Sequence, residues 1–486
     1  MLTLESPGRR PRVHFCGIGG TAMVGGARLA LEAGWEVHGS DNPLYPPTSG
    51  MVEALDVPVA VGYDAAHLDW GPDVVVIGNA LSRGNPEVEA ALERNLHYVS
   101  LPEWLKDAVL RPRRPVVICG THGKTTTTAL TAALLHRVGL NPGYLIGGEP
   151  LDFPHSAHLG PEGHPFVIEG DEYDTAFFDK RAKFFHYIPQ IAVVTSIEFD
   201  HGDIYRDVAE IERAFLLMLR QIPPSGWLIL CADDPGAAAL AGRAFSNVAT
   251  YGFSEGADWR GEWRNATQPH PAAHCPVLSV YRDDRHWAEV TVPMAGRHNL
   301  LNALAAVAVA GTLGVAPRDV ENAMPAFQGV RRRMEVFLEA RGMTFVDDFA
   351  HHPTAVRETI EAARMRWPGG RLRVLFEPRS NTTVTNRFQQ ELADAFAKAD
   401  EVWIGPVHRA DRVPPEERLD RDALVEALCG AGVDAQCSDH VDDIVAGILA
   451  RAREGDVVLI LSNGAFGGIY DQFRRNLAGT GSIGRD

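Results

Sequence analysis

The 486-residue chain has little cysteine, no long apolar run and no excess of positive charge. Its six cysteines, Cys16, Cys119, Cys231, Cys275, Cys429 and Cys437, are scattered and form no C-x-x-C pair. That argues against a disulfide framework and for a reduced, cytoplasmic chain whose thiols are small buried hydrophobes. The opening stretch MLTLESPGRRPRV carries charge but no apolar core, so no signal peptide is expected. No apolar run reaches the roughly 18 residues of a membrane span. A net charge of -17 argues against non-specific binding to nucleic acid and against docking on anionic membranes. It leaves room for anionic small ligands held by a local glycine loop or arginine cluster. There is no short-period repeat and no low-complexity tract.

What is present is an ordinary globular composition, 45% hydrophobic and 22% charged. The length suggests about three domains. Strand-helix-strand patterns recur along the whole chain, which predicts an α/β protein with parallel sheets. The expected divisions are 1–112, 113–328 and 329–486: two Rossmann-like α/β domains around a central phosphate-loop domain. The Pro- and Arg-rich LRPRRP (110–115) reads as a linker. Residues 250–290, rich in Trp, Asp, Arg and His, read as polar hairpins. A monomer or weak homo-oligomer is the expected state.

Two glycine turns carry the chemistry. The first, GIGGTA, gives Gly17, Gly19 and Ala22 after a strand, with Asp41 at the distance of a ribose-binding acid. Alone it is a weak signal, since such turns also serve only to pack helix on strand. The second is VVICGTHGKTTTTAL, from residue 116. Gly120 and Gly123 allow close backbone approach to phosphate, and the helix start offers free N–H groups. Lys124 suits terminal phosphates and the Thr125 hydroxyl suits magnesium. Ile118 stands where the general phosphate-loop pattern has its first glycine. Two turns favour two nucleotide ligands over a single nicotinamide.

Acids and an imidazole follow at two strand ends. VIEGDEYD places Glu169, Asp171, Glu172 and Asp174; IEFDH places Glu198, Asp200 and His201. Two adjacent parallel strands would bring these groups to one sheet edge, where hard oxygens beside a phosphate loop suit magnesium. For Asp171, Glu172 and Asp174 the plainer expectation is helix capping and surface charge.

These motifs, GTHGKTTT, VIEGDEYD, SIEFDHGDIY, GRHNLLNALAA and DDFAHHPT, resemble the Mur ligases of peptidoglycan metabolism, in order and over essentially the whole chain. The resemblance implies an ATP-dependent amide ligase of three domains. It implies that Gly120, Thr121, His122, Gly123, Lys124, Thr125, Thr126, Asn299, Asn302, Arg332, Arg333, Asp348 and Phe349 meet ATP. Thr125, Glu169 and His201 would be magnesium ligands, and Lys124, Glu169, His201 and Arg333 would carry catalysis. Gly17, Ile18, Gly19, Gly20, Thr21, Ser40, Asp41, Asn79 and Ser82 would hold a UDP-sugar. Within the family, GSDNPLYPPTS, EGDEYDTAFFDKRAKFFHY, EPRSNT and SNGAFGGI are most similar to the branch that joins UDP-N-acetylmuramate to the recycled murein tripeptide. His351, Arg379, Asn381 and Thr382 would then face the amine substrate. Several members carry a carbamylated lysine that has no counterpart in AEIERAFLLMLRQI (209–222), and the L-alanine-adding branch shares that lack. That branch is the alternative; a nucleotide sensor or a dehydrogenase is a remote one. The basic-aromatic stretch 176–187, with Lys180, Arg181 and Lys183, marks the branch without an evident role.

Overall fold

In the computed structural model, which describes residues 9–45, 48–200, 202, 204–264 and 275–478, three sheets follow one another along the chain. The first contains β1 (Arg12–Cys16), β2 (Glu36–Asp41), β3 (Val59–Val61), β4 (Val74–Ile77) and β5 (Tyr98–Ser100). All pairings are parallel, in the order β3-β2-β1-β4-β5. The run Val74–Ile77 is buried at every residue, as expected of a parallel strand covered on both faces.

The second sheet is built from β6 (Arg114–Cys119), β7 (Gly143–Leu145), β8 (Ala157–His158) and β9 (Pro165–Gly170), then β12 (Ile191–Val194), β13 (Trp227–Cys231) and β14 (Asn247–Gly252), and finally β15 (Trp259–Arg264), β16 (Val277–Arg282) and β17 (Arg285–Thr291). A separate hairpin, β10 (Asp174–Ala176) and β11 (Asp179–Ala182), leaves the sheet between β9 and β12. The order is β17-β16-β15-β14-β13-β12-β6-β9-β7-β8. The polar region past residue 250 does form antiparallel hairpins, at the edge. β9 and β12 are not neighbours, contrary to the expectation from sequence; β6 lies between and pairs with both. The phosphate loop therefore leaves the sheet with one acid-bearing strand on each side.

The third sheet comprises β18 (Glu335–Ala340), β19 (Met343–Asp348), β20 (Leu372–Phe376), β21 (Glu401–Ile404), β22 (Asp434–Cys437) and β23 (Val457–Leu461), in the order β18-β19-β23-β20-β21-β22. Only β18 is antiparallel to its neighbour.

One continuous apolar cluster runs from Val13 in the first sheet to Val330 behind the second. The third sheet has two clusters of its own, one on each face. The expected linker at 110–115 is not loose. Arg113 is buried and donates to the carbonyls of Val109 and Gly160, and β6 begins at Arg114. The crossing into the third sheet is different: Gly329, Arg332 and Met334 all have φ between +52° and +103°.

Candidate active site

The loop from β6 to the helix Lys124–Arg137 turns on two glycines. Gly120 has φ +125° and Gly123 +79°, conformations that a side chain resists. A Cβ on Gly120 would lie 2.1 Å from Thr195 Oγ1, and one on Gly123 2.4 Å from Asn302 Oδ1. The loop is braced by the segment after β12. Thr121 N–H donates to the Ser196 carbonyl (2.9 Å), His122 N–H to Ser196 Oγ (3.1 Å), and the Thr195 hydroxyl to the His122 carbonyl (2.6 Å). The Thr-Ser pair at a strand end is the one sequence signal of this bracing, and it is absent from the expected site residues.

Lys124 donates to the Gly120 carbonyl (2.6 Å) and to Glu172 (2.7 Å). Burial opposes its charge, but Glu172 and Asp171 outweigh it and the ammonium titrates above its usual value. Thr125 Oγ1 donates to Glu169 (3.1 Å), whose other oxygen accepts from Gly147 N–H (2.6 Å). Burial raises the Glu169 pKa. Thr125 and Glu169 thus present hard oxygen donors side by side, the donor chemistry magnesium takes. His201, the third expected ligand, lies outside the described residues.

On the other side of β6, Glu198 accepts from His122 Nε2 (2.9 Å) and from the hydroxyl of Thr354 in the third sheet's domain (2.9 Å). The His122 bond first, against burial, holds Glu198 down at about 2. His352 approaches the same carboxylate at 3.8 Å, and its ring lies 4.9 Å from that of His122. Asp200 accepts from Thr382 (3.1 Å). The expected capping by Asp171, Glu172 and Asp174 is not what forms. A hairpin, not a helix, follows β9, and these acids pair with Lys183, Lys124 and Lys180.

Asn302 accepts from Thr127 (3.0 Å) and donates to Asn299, so both stand on the face of the helix Arg297–Thr312 that meets the phosphate-loop helix. Arg333 lies over the Phe349 ring at 4.9 Å. Asp348 is buried at the end of β19 and accepts from the backbone of Met334 and Ala350 (2.8 Å each); burial raises its pKa. Thr121 to Thr126, Glu169, Asp171, Asp200, Asn299, Asn302, Arg333, Asp348, Phe349 and His351 all line one cleft of about 670 Å³. Thr21 and Ala22, at the start of the first domain's helix, line it too.

Other expected residues do not join that cleft. Arg332 is turned into its own domain, donating to Asp347 (3.1 Å) and to the carbonyls of Ser462 and Gly464. Arg379 is held by Glu377 and His408 at 3.4 Å, and Asn381 is exposed. The first glycine turn forms a second locus. Gly17 and Ile18 N–H donate to the Ser40 carbonyl, and Gly19 N–H donates to Asp41 (2.7 Å). Ile18 is fully buried, and the buried Ser40 hydroxyl donates to Glu87 (2.5 Å), so neither side chain faces solvent. Gly20, Asn79 and Ser82 are at or near the surface; Gly78, beside Asn79, donates its N–H to the Cys16 carbonyl at the turn.

Three family descriptions match the chain in series: Mur ligase family, catalytic domain, over 12–112; Mur ligase middle domain, over 118–310; and Mur ligase, glutamate ligase domain, over 332–464. A curated relative from Escherichia coli K12, UDP-N-acetylmuramate–L-alanyl-γ-D-glutamyl-meso-2,6-diaminoheptandioate ligase, is 41% identical over 96% of this chain and 98% of its own. The chain belongs to the Mur ligase family. Like other members it is an ATP-dependent ligase that forms amide bonds in peptidoglycan metabolism. A UDP-N-acetylmuramate–L-alanine ligase from Methylococcus capsulatus is 35% identical, over 96% of each chain. The crystal structure of a murein peptide ligase from Psychrobacter arcticus superposes with a TM-score of 0.69 at 35% identity, covering 97% of this ligase and 99% of that chain. Among the described residues no helix is long and apolar enough to cross a membrane.

Proposed function

We propose that this ligase joins UDP-N-acetylmuramate to the tripeptide L-alanyl-γ-D-glutamyl-meso-diaminopimelate in the cytoplasm, with ATP and magnesium, returning recycled peptide to cell-wall synthesis. The observation that carries the reading is the shared cleft. The first domain's helix start opens into the same space as the phosphate loop, Glu169 and Arg333, so a carboxylate on a sugar nucleotide can reach a γ-phosphate. The preference for the tripeptide rests on the relative at 41% identity against the L-alanine ligase at 35%.

The backbone of Gly120 to Lys124 cradles the β- and γ-phosphates, and Lys124 exchanges Glu172 for a phosphate oxygen. Thr125 and Glu169 would hold magnesium, which supplies charge neutralisation on the phosphates. The lactyl carboxylate attacks the γ-phosphorus and ADP leaves, giving an acyl phosphate. Arg333 faces the transferring group from the last domain. The peptide's α-amine then attacks the acyl carbon and loses a proton, and phosphate departs as the amide forms. Catalysis is positioning and charge neutralisation. UDP is held at the first glycine turn, with Asp41 committed to shaping the loop and Asn79 and Ser82 beside it. His351 and Thr382 are the amine-side residues that stand at or beside the cleft.

Phosphate release is measured with ATP, UDP-N-acetylmuramate and either the tripeptide or L-alanine. Preference for the tripeptide, lost on chelating magnesium, is expected. Preference for L-alanine would move the chain to the other branch. No release with either amine would remove the ligase reading.

A further inference from the structure

The β10–β11 hairpin pairs with no strand of the ten-stranded sheet, yet it ties two domains together. Its tip is apolar. Phe177 packs against the buried cluster of Cys16, Val75 and Ile77 that follows β1 and β4 to the first glycine turn, and Leu81 packs against the same cluster. Leu81 is also the side chain nearest Gly17, 3.5 Å from where a Cβ would stand. Phe178 meets Tyr98 edge-on with ring centroids 5.2 Å apart. The base of the hairpin is charged. Glu172 enters it bound to Lys124, and Lys183 leaves it bound to Asp171, both at 2.7 Å. Lys183 N–H donates to the Tyr173 carbonyl (3.0 Å), which closes the base.

Lys183 lines the same cleft as Lys124 and Thr21. Three of the cleft cations come from different parts of the molecule. Lys124 is on the phosphate loop, and Arg333 stacks on Phe349 in the last domain. Lys183 rides on the element docked to the first domain. A carboxylate carried by a sugar nucleotide on the glycine turn must pass from Thr21 toward Glu169. The lining of the cleft that it enters includes the carboxylates of Glu169, Asp171 and Asp200. A further anion in a partly desolvated acidic wall is costly unless a cation meets it. An ammonium has three donors, and Asp171 takes one of Lys183's.

We propose that Lys183 binds the carboxylate of the sugar-nucleotide substrate, and that the β10–β11 hairpin, anchored on the first domain by Phe177 and Phe178, fixes where that carboxylate meets the transferred phosphate. The inference rests on the function proposed above. It accounts for the basic-aromatic stretch at 176–187, in which the aromatics anchor and the last cation recognises.

The test compares two sugar nucleotides that differ in the lactyl ether that carries the carboxylate. Binding of UDP-N-acetylmuramate and of UDP-N-acetylglucosamine is measured by calorimetry on the full chain, with Lys183→Met and Lys183→Arg variants. The Met variant should bind UDP-N-acetylmuramate roughly 10- to 100-fold more weakly, the loss of a charge-assisted contact. It should bind UDP-N-acetylglucosamine within about twofold of the unsubstituted protein, with an unchanged melting temperature. The Arg variant should recover most of the lost affinity. Equal loss for both ligands would make the hairpin a mere brace and overturn the proposal, as would no loss for either. If the unsubstituted protein binds neither sugar nucleotide, the functional reading itself fails and this inference falls with it.

Discussion

Lys124 already makes the contacts of a phosphate-binding lysine, with carboxylate and carbonyl oxygens in place of phosphate. Removing it leaves Glu172 buried without this cation and leaves the γ-phosphate without its own. Lys124→Ala should cut phosphate release by ~100-fold or more while circular dichroism stays native; retained turnover would remove the loop from the mechanism. Two histidines at the cleft contribute to the acid response. His298 and His352 both titrate at about 4, chiefly through burial. Both pKa values lie below the ordinary histidine range, so between about pH 6.5 and 4 the unfolded chain binds protons that the native protein does not. Stability is therefore lost as pH falls through that window. Replacing both rings with Gln should flatten the fall of the urea midpoint between pH 7 and pH 5 relative to the unsubstituted protein; an identical pH dependence in the two proteins would contradict the lowered values of these rings. At this scale the sequence is legible where chemistry is local. Gly-Lys-Thr after a β-run carries its own meaning. That Glu198 accepts from Thr354, 156 residues away, is written in no local pattern.

The phosphate loop works as an element because its two glycines let it sit against Thr195, Ser196 and Asn302. Gly123→Ala places a methyl 2.4 Å from Asn302 Oδ1 in a left-handed turn. About 1–2 kcal/mol of backbone strain is expected, visible as a lower melting temperature, together with weaker ATP binding; an unchanged protein would show that the turn can relax. The strands that flank the loop were readable one by one, because buried β-branched runs announce themselves. Their order was not. β9 and β12 could have been neighbours, and only the folded sheet puts β6 between them. The expectation of helix caps at Asp171 to Asp174 failed for a related reason. Short acidic stretches suit a helix start or a hairpin base equally, and the lysines that pair with Asp174 and Asp171 come 6 and 12 residues later, while the partner of Glu172 comes 48 residues earlier.

At the scale of the molecule the first two sheets share a core and the third does not. The contacts by which the last domain meets the site include Thr354 on Glu198, Thr382 on Asp200 (3.1 Å), and Arg387 over Phe199 at 3.8 Å. Its tether bends at three residues with positive φ, a place suited to rotation. Replacing Thr382 with Val and Arg387 with Ala together should loosen the contact by about 1–2 kcal/mol. The KM for ATP should rise, and small-angle scattering should report a larger radius of gyration. An unchanged radius would mean that other contacts hold the domain. The three-part organisation was legible from alternating strands and helices; which parts share a core was not, since that depends on where helices from distant segments come to rest.

The strand order has an evolutionary consequence. In passing from Glu169 to Glu198 the chain crosses from one side of β6 to the other, and the hairpin interrupts that crossing without pairing to the sheet. Insertions and deletions at its tip leave every pairing of the ten-stranded sheet in place and change how Lys183 is presented to the cleft. Lineages can vary the hairpin tip while the strands that carry the phosphate loop keep their order.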